Sequence, residues 1–305
     1  MTNQPGDHQP GTDWPHTAAT AATDATAGTA GGTRAESFHA RPAHADVPIP
    51  GEPEGSARVP SAEQAGKGVI NLVHLYPREM SIYGDLGNTR CLAARIRRHG
   101  YSPVVHQHHP GGEFPAEPHL ILGGGGQDSG QVRVEADLEH IADRLRDLAA
   151  QGTPMLMICG MYQLFGNAFI TVEGKRLPGL GILDVTTQGN AKRMIGPVVL
   201  QTDFGDVVGY ENHSGSTTLG AGQAPFGTVR SGFGNNGTDR TEGARTNNVI
   251  GSYLHGPILP ANPALADALI GFAAEKATGR PFEPISQDDA VADQARLRQV
   301  RRLAG

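Results

Sequence analysis

Two residues of the 305-residue chain have the type and position to carry out nucleophilic chemistry, Cys159 and His255. Cys159 follows the apolar run 154–158 and precedes Gly160 and a segment with helical spacing. An apolar run without alternation is typical of a strand buried on both faces of a parallel sheet. A cysteine between such a strand and a helix lies on a tight turn, where the helix N-terminus favours the attacking thiolate. A small buried core cysteine is the alternative that this segment alone leaves open.

A thiol nucleophile needs a base that takes its proton and returns it to a leaving group, and histidine is the usual choice. Of the 13 histidines, His255 ends an apolar strand predicted over 249–254, whereas His213 lies in a polar turn. A side chain at the carboxyl end of a strand reaches the sheet edge at which open α/β sheets bind ligands. This position favours His255 over His213 as the partner of Cys159.

A run of four glycines, residues 123–126, follows the apolar segment 119–122. Acyl chemistry passes through a tetrahedral oxyanion, and the N–H groups of this loop together with that of Gly160 are candidates to stabilise it; a merely flexible loop is the alternative. The chain has no GxxxxGK[ST] motif, so we do not expect it to bind ATP itself. We also predict no metal site, because no cysteine or acidic ligand follows the triplet His106, His108 and His109 at metal spacing.

The surrounding pattern predicts a parallel sheet with helices on both faces. Apolar strands are expected at 68–76, 102–106, 119–122 and 154–158, and amphipathic helices at 89–98 and through Leu138, Ile141, Leu145 and Leu148. After residue 166 the pattern changes to shorter β segments, at 180–185, 196–200, 207–211 and 248–254. A final helix begins after Pro263, with Leu265, Leu269 and Phe272 on one face.

Composition divides the chain into three parts. Residues 1–66 are rich in Ala, Thr, Gly and Pro without periodicity, which predicts a disordered tail. Residues 67–285 fit one α/β domain, and 286–305 form a charged tail with helical spacing that we expect to be solvated. A net charge of −6 argues against nucleic acid as the main partner. We see no membrane-spanning run and no secretory signal, and two cysteines indicate a cytosolic thiol protein rather than a disulfide framework.

Several longer motifs resemble class I glutamine amidotransferases of the cobyric-acid-synthase-like subgroup, and among them the glutaminase subunits of peptidoglycan-amidating synthases. The resemblance covers essentially all of 68–275 and implies a flavodoxin-like fold. The motifs are Ile-Cys-Gly-Met-Tyr-Gln-Leu at 158–164, Gly-Gly-Gly-Gln-Asp at 124–128, Tyr-Gly-Asp-Leu-Gly-Asn at 83–88, Gly-Phe-Gly-Asn-Asn-Gly at 232–237 and Tyr-Leu-His-Gly-Pro-Ile-Leu-Pro at 253–260.

The resemblance implies that Cys159 attacks the side-chain amide of L-glutamine and that His255 transfers protons. It places Arg193 on the α-carboxylate of glutamine, where a guanidinium can pair bidentately, and it assigns further substrate contacts to Gly124, Gly125, Gly160 and Gln163.

The same resemblance implies a partner. The ammonia would pass to a MurT-like Mur ligase, which holds ATP and Mg²⁺ and amidates the D-glutamate of lipid II to D-isoglutamine. This chain would need no cofactor of its own, and the pair would act in the cytoplasm near the inner face of the membrane.

The sequence departs from the related pattern His-x-Glu, because position 257 is proline. Either an acid elsewhere, of which Glu211 is the first choice, or an aspartate of the partner then orients the histidine. We therefore expect the chain alone to be a poor or leaky glutaminase that docking completes. Three alternatives remain at this point: an amidotransferase of cobalamin-type cofactor synthesis, a non-catalytic binding subunit, and a stand-alone cysteine hydrolase.

Overall fold

The computed structural model describes residues 66–304, so the predicted tail at 1–66 lies almost wholly outside the described residues. The strands are β1 Val69–Leu75, β2 Ser102–His108, β3 Leu120–Gly123, β4 Met155–Ile158, β5 Ala168–Ile170, β6 Arg176–Pro178, β7 Val185–Thr202, β8 Gly205–Leu219, β9 Gly227–Ser231, β10 Thr241–Glu242, β11 Ala244–Thr246, β12 Val249–Ser252 and β13 Leu254–His255. The helices are α1 Leu86–Arg98, α2 Asp128–His140, α3 Ala142–Ala150, α4 Gly160–Phe165, α5 Ile258–Ala261, α6 Pro263–Thr278 and α7 Ala290–Ala304.

The predicted parallel sheet is confirmed. Its strand order is β11-β12-β4-β3-β1-β2, and every neighbouring pair is parallel except β11 with β12. All four residues of β3, and all four of β4, are buried, which is why these strands read as uninterrupted apolar runs. The carboxyl ends of β1, β3, β4 and β12 therefore meet at one edge of the sheet.

The helix predicted through Leu138 and Leu148 is two helices, α2 and α3. Ile141, at the junction, has φ −94° and ψ 4°, outside the helical range, so the helix breaks there. Leu138 and Leu145, on either side of this break, are both buried, so the predicted apolar face continues from α2 into α3.

The β segments after residue 166 form a second sheet, and its main strands are longer than the sequence indicated. β7 has 18 residues and β8 has 15, and they pair as one antiparallel hairpin with an irregularity between Gly189 and Met194. Several buried positions of both strands are polar residues, so only short parts of the strands look apolar in sequence; these residues are Thr187, Glu211, His213 and Thr217. The sheet runs β10-β9-β7-β5-β6, and β8 also pairs with β13.

The C-terminal segment is packed against the domain, which corrects the expectation of a solvated tail. Within α7, Val300 is buried against Val199 and Val208 of the hairpin. Upstream of α7, the buried Arg95 forms ion pairs with Asp289, at 2.6 Å, and Asp267, at 2.7 Å, which ties the segment to α1. Within residues 66–304, no helix is both long and apolar enough to cross a membrane.

Candidate active site

Cys159 lies on the strained turn that its sequence context predicted. It follows β4 directly and precedes α4, with φ 52° and ψ −104°, a conformation that costs energy for a residue with a side chain. Its N–H donates to the Ser252 carbonyl at 2.8 Å, which attaches the turn to the end of β12. The residue is 6% exposed. The backbone is thus held in a high-energy geometry that presents the sulfur at the carboxyl edge of the sheet.

His255 reaches the same edge. β12 is parallel to β4, with Ser252 opposite Ile158, and His255 follows three residues later in β13. A Cβ atom at Gly125 would lie 2.7 Å from His255 Cε1 and 3.2 Å from Cys159 Cβ, so only glycine fits between the two side chains. The structure therefore brings the predicted nucleophile and base together against the glycine loop.

The His255 ring is held through one nitrogen. Nδ1 lies 3.1 Å from Asp85 Oδ1, and because a carboxylate only accepts hydrogen bonds, Nδ1 carries a proton. Nε2 is buried and has no hydrogen-bond partner among the described residues. The Tyr83 ring meets the imidazole edge-on, with 4.9 Å between centroids. The free nitrogen is left for the sulfur and for a leaving group.

The charge state of His255 follows from its neighbours. Burial lowers the pKa of the ring, but the hydrogen bond to Asp85 and the interaction with the Cys159 sulfur outweigh this effect and raise the pKa to about 10. The imidazole is therefore protonated at neutral pH and can pair with a Cys159 thiolate, the form that attacks a carbonyl carbon. It also holds the proton that a departing amine needs.

The glycine loop contributes differently at each position. The Gly125 N–H donates to Asp85 Oδ2 at 2.6 Å, so it is not available to an oxyanion. The Gly124 carbonyl accepts the Met161 N–H at 3.3 Å. A Cβ atom at Gly160 would lie 3.0 Å from Gly126 N, which places those two backbone segments in direct contact beside the thiol. The Gly126 amide thus lies against Gly160, the residue that follows Cys159.

Gln163, predicted to bind substrate, is buried behind the nucleophile. Its Oε1 accepts from Gln131 Nε2 at 2.7 Å, and its Nε2 donates to the Tyr253 hydroxyl at 3.2 Å. Gln131 Nε2 also donates to the Gly160 carbonyl at 3.1 Å. Both ends of the Gln163 amide are occupied, so the residue supports the turn from inside. Sequence reasoning missed the supporting contacts of both neighbours: Gln131 lies outside the quoted motifs, and Tyr253 opens the motif at 253–260, where only His255 was singled out.

The two other candidates for acid–base roles are occupied elsewhere. Glu211, predicted to orient the histidine, accepts the N–H groups of Phe233 and Gly234, at 2.7 and 2.9 Å. That prediction is wrong, because Asp85 holds His255 instead. His213 is buried, stacks on Tyr253 with 3.6 Å between ring centroids and bonds to the Gly215 carbonyl. The structure therefore favours His255 over His213.

Arg193 lies in the irregular part of β7 and is exposed. Its guanidinium donates to the Asn212 side-chain oxygen, at 2.9 Å from Nε and 2.7 Å from Nη2, and to the Asn212 carbonyl at 2.9 Å. Asn212 is two residues from Tyr210, which pairs with His255. Arg193 on β7 is therefore separated from the strand of His255 by β8, the strand that carries Asn212.

Asp85 is the member of the site that sequence reasoning missed. It lies in the quoted motif at 83–88, in the turn between β1 and α1, and is 170 residues from His255 in the chain. An acid in a loop that follows the first strand of a parallel sheet was an available signal, because that loop opens at the carboxyl edge. Within residues 66–304, no cluster of His, Cys, Asp and Glu is arranged to hold a metal ion.

A buried thiol on a strained strand-to-helix turn, beside a histidine and a glycine loop at the carboxyl edge of a parallel sheet, is an arrangement suited to cysteine-dependent acyl chemistry. The family model described as the CobB/CobQ-like glutamine amidotransferase domain matches residues 71–263. This chain belongs to that family.

Among curated proteins, the chain is similar to two subunits called "Lipid II isoglutaminyl synthase (glutamine-hydrolyzing) subunit GatD". The one from Staphylococcus aureus (strain N315) is 37% identical over 229 residues, which cover 74% of this chain and 93% of that protein. The one from Streptococcus pneumoniae (strain ATCC BAA-255 / R6) is 34% identical over 231 residues, or 74% of this chain and 88% of that protein.

A cobyric acid synthase from Pelotomaculum thermopropionicum is 28% identical over 219 residues, which cover 67% of this chain but 40% of that protein. Among solved structures, a glutamine amidotransferase matches with a TM-score of 0.46 and 16% identity, covering 66% of this chain and 98% of the other.

Proposed function

We propose that this chain is the glutamine-hydrolysing subunit of a synthase that amidates lipid II. The observation that carries the proposal is the pairing of Cys159, at φ 52°, with His255 across Gly125. It occurs in a chain similar to two GatD subunits over 74% of its length. The geometry of the site supports hydrolysis of an amide, and the names of the relatives suggest the synthase in which the ammonia is used.

In the proposed reaction, the Cys159 thiolate adds to the side-chain carbonyl carbon of glutamine. The tetrahedral intermediate collapses as the C–N bond breaks, and the proton on His255 Nε2 leaves with the nitrogen as ammonia. Water then attacks the thioester carbonyl, gives one proton to His255, and displaces the thiolate to release glutamate. One water is consumed per ammonia and glutamate formed, and both residues return to their starting states.

Backbone amides would stabilise the oxyanion of both intermediates. The Gly125 N–H is held by Asp85, so we assign this role to the adjoining Gly126 and Gly160 amides. The contact of Gly126 with Gly160 next to Cys159 supports the assignment, because the oxyanion forms on the carbon that the sulfur attacks, two bonds from the sulfur.

We assign binding of the glutamine α-carboxylate to Arg193. Its exposed guanidinium is fixed in orientation by Asn212, and a planar cation held in this way is suited to a carboxylate. The position of Asn212 on the strand next to His255 supports this role.

The acceptor chemistry belongs to a partner in this proposal. A MurT-like Mur ligase would hold ATP and Mg²⁺, activate the D-glutamate carboxylate of lipid II and take up the ammonia, close to the inner face of the membrane. The alternative of cobalamin-type synthesis has the support of the match to a cobyric acid synthase, but that match covers 40% of the relative's length, against 93% for a GatD subunit.

The test is glutamate release from glutamine by the purified chain, with and without a MurT-type ligase. We expect Cys159→Ala to lower turnover at least about a thousandfold, because removal of a nucleophile abolishes the covalent route. Cys91→Ser is the matched control, since Cys91 is the second free thiol and lies outside the site. Amidation of lipid II by the pair would establish the acceptor. Hydrolysis that is unchanged by Cys159→Ala would contradict the proposal, and complex formation without any hydrolysis would favour a binding subunit.

A further inference from the structure

Asp85 connects two parts of the site with a single buried carboxylate. Its Oδ1 lies 3.1 Å from His255 Nδ1, and its Oδ2 accepts the Gly125 N–H at 2.6 Å. The residue is 3% exposed. The two oxygens are thus divided between the imidazole and the glycine loop, and one side chain fixes the relative position of both.

The turn that carries Asp85 is itself tied to the glycine loop. The Ile82 N–H donates to the Gly125 carbonyl at 3.0 Å, and the Leu86 N–H donates to Ser81 Oγ at 3.1 Å. A Cβ atom at Gly124 would lie 3.0 Å from Asp85 Cβ and would overlap the Met80 carbonyl oxygen. Only a glycine loop permits this approach, so the loop and the turn are built to fit each other.

We propose that Asp85 is the positioning acid of this site, supplied by the chain itself. The proposal deepens the proposed function and rests on it for the identity of the substrate. By holding the proton on Nδ1, the carboxylate directs Nε2 toward Cys159, and its charge stabilises the imidazolium that forms in each proton transfer. The buried and otherwise unpartnered Nε2 is the nitrogen that this arrangement leaves for chemistry.

The assignment changes what a partner has to provide. Glu211 is occupied by two backbone amides, and Nδ1 of His255 is occupied by Asp85. A carboxylate from a partner would have to displace Asp85 to reach that nitrogen. The isolated chain therefore holds a complete cysteine–histidine–aspartate arrangement, and its thioester chemistry needs no residue from a ligase.

The experiment compares Asp85→Asn with Asp137→Asn in the full chain. Asp137 is a matched control because it also joins a histidine, His108 at 2.8 Å, to a glycine amide, Gly111 at 2.6 Å, away from Cys159. We expect Asp85→Asn to lower kcat for glutamine about 10²–10⁴-fold with little change in KM. Asp137→Asn is expected to stay within about threefold of the wild type, and Asp85→Glu to recover part of the loss.

A second readout does not depend on glutamine. The rate of Cys159 alkylation by iodoacetamide is followed against pH by peptide mass spectrometry, which separates Cys159 from Cys91. Loss of the Asp85 charge weakens the imidazolium, so the thiolate forms at higher pH and the midpoint of alkylation moves upward. Asp137→Asn is expected to leave that midpoint in place.

The outcomes are distinct. An upward shift in Asp85→Asn without glutamine hydrolysis by the wild type would support the positioning role and overturn the proposed function. Equal midpoints and equal kcat in Asp85→Asn and the wild type would overturn the positioning role. A wild-type chain that hydrolyses glutamine only with a ligase, and does so equally well as Asp85→Asn, would assign the acid to the partner. If Asp85→Asn does not fold, Asp85→Glu carries both measurements.

Discussion

Two carboxylates in this molecule make the same pair of contacts. Asp85 joins His255 to the Gly125 amide, and Asp137 joins His108 to the Gly111 amide. Both lie toward the carboxyl edge of the parallel sheet, where β1 and β2 or β4 and β12 end. A residue with positive φ follows a neighbouring strand in each case, Tyr76 at 51° after β1 and Cys159 at 52° after β4.

The difference lies in what surrounds the histidine. The His108 ring packs against the rings of Tyr76 and Phe114, at 5.5 and 5.3 Å between centroids, and Asp137 also accepts the Tyr76 hydroxyl at 2.7 Å. His255 instead faces a thiol across a glycine. The two clusters therefore share a strained turn and a histidine–aspartate pair and differ in the thiol beside the histidine, which is the group that the proposed reaction requires.

The largest expected contrast is in activity. His255→Asn keeps a donor toward Asp85 but removes the nitrogen that faces Cys159, so kcat for glutamine should fall about 10²–10⁴-fold, the usual contribution of a general acid–base group. His108→Asn makes the same change in the other cluster and should leave kcat within about threefold. Glutamate release measures both. A similar loss of kcat in His255→Asn and His108→Asn would mean that the two histidine–aspartate clusters are coupled, and it would contradict the expected difference between them.

A second contrast concerns how the free energy of unfolding depends on pH. The pKa of His255 rises from about 6.5 in the unfolded chain to about 10 in the folded one. A raised histidine pKa stabilises the fold fully below pH 6.5, and this contribution is lost as pH rises toward 10. Wild type and His255→Asn should therefore differ most in unfolding free energy at pH 6.5, by a few kcal/mol at most, and converge by pH 10. Urea unfolding at both pH values measures the gap, and a constant gap would contradict the assigned charge state.

The parallel sheet and the turn on which Cys159 lies could be predicted because their signals are local. β3 and β4 are apolar throughout since both faces are buried, and Cys159 lies directly between such a strand and a helix. The position of His255 could be predicted in the same way, because the strand that precedes it ends at the same carboxyl edge of the sheet. The full length of the β7–β8 hairpin could not be predicted, because buried positions such as Glu211, His213 and Thr217 are polar and the segment resembles a loop in sequence.

Asp85 was not predicted because its role exists only in three dimensions. It is 170 residues from His255, and Glu211 lies nearer in the chain and is also buried. Nothing in the spacing reveals that Glu211 is occupied by the Phe233 and Gly234 amides. The docking of α7 was missed for a similar reason. Leu297, Val300 and Leu303 are the few large apolar residues at helical spacing in a charged segment, and the partners of Val300, Val199 and Val208, lie in the hairpin.

The smallest expected effect is a loss of stability at the cluster of Asp137, His108 and Gly111, which has no thiol beside its histidine. Asp137 accepts hydrogen bonds from Tyr76, His108 and Gly111; burial raises the pKa of its carboxyl, but these bonds outweigh burial and lower it below the usual value. A lowered carboxyl pKa stabilises the fold above about pH 3.8 and loses this effect as pH falls through the folded value. Asp137→Asn should thus reduce the unfolding free energy by about 1–3 kcal/mol at pH 7, with glutamine hydrolysis by the folded fraction unchanged.

Thermal and urea unfolding at pH 7 and pH 3 measure that loss, and the difference between the wild type and Asp137→Asn should narrow at pH 3. A variant that is as stable as the wild type at pH 7 would show that Asp137 contributes nothing to the fold. A variant with normal stability and lost hydrolysis would show that this carboxylate, too, belongs to the catalytic machinery. In that case the two clusters would form one extended site along the sheet edge, and the absence of a thiol beside His108 would no longer separate them.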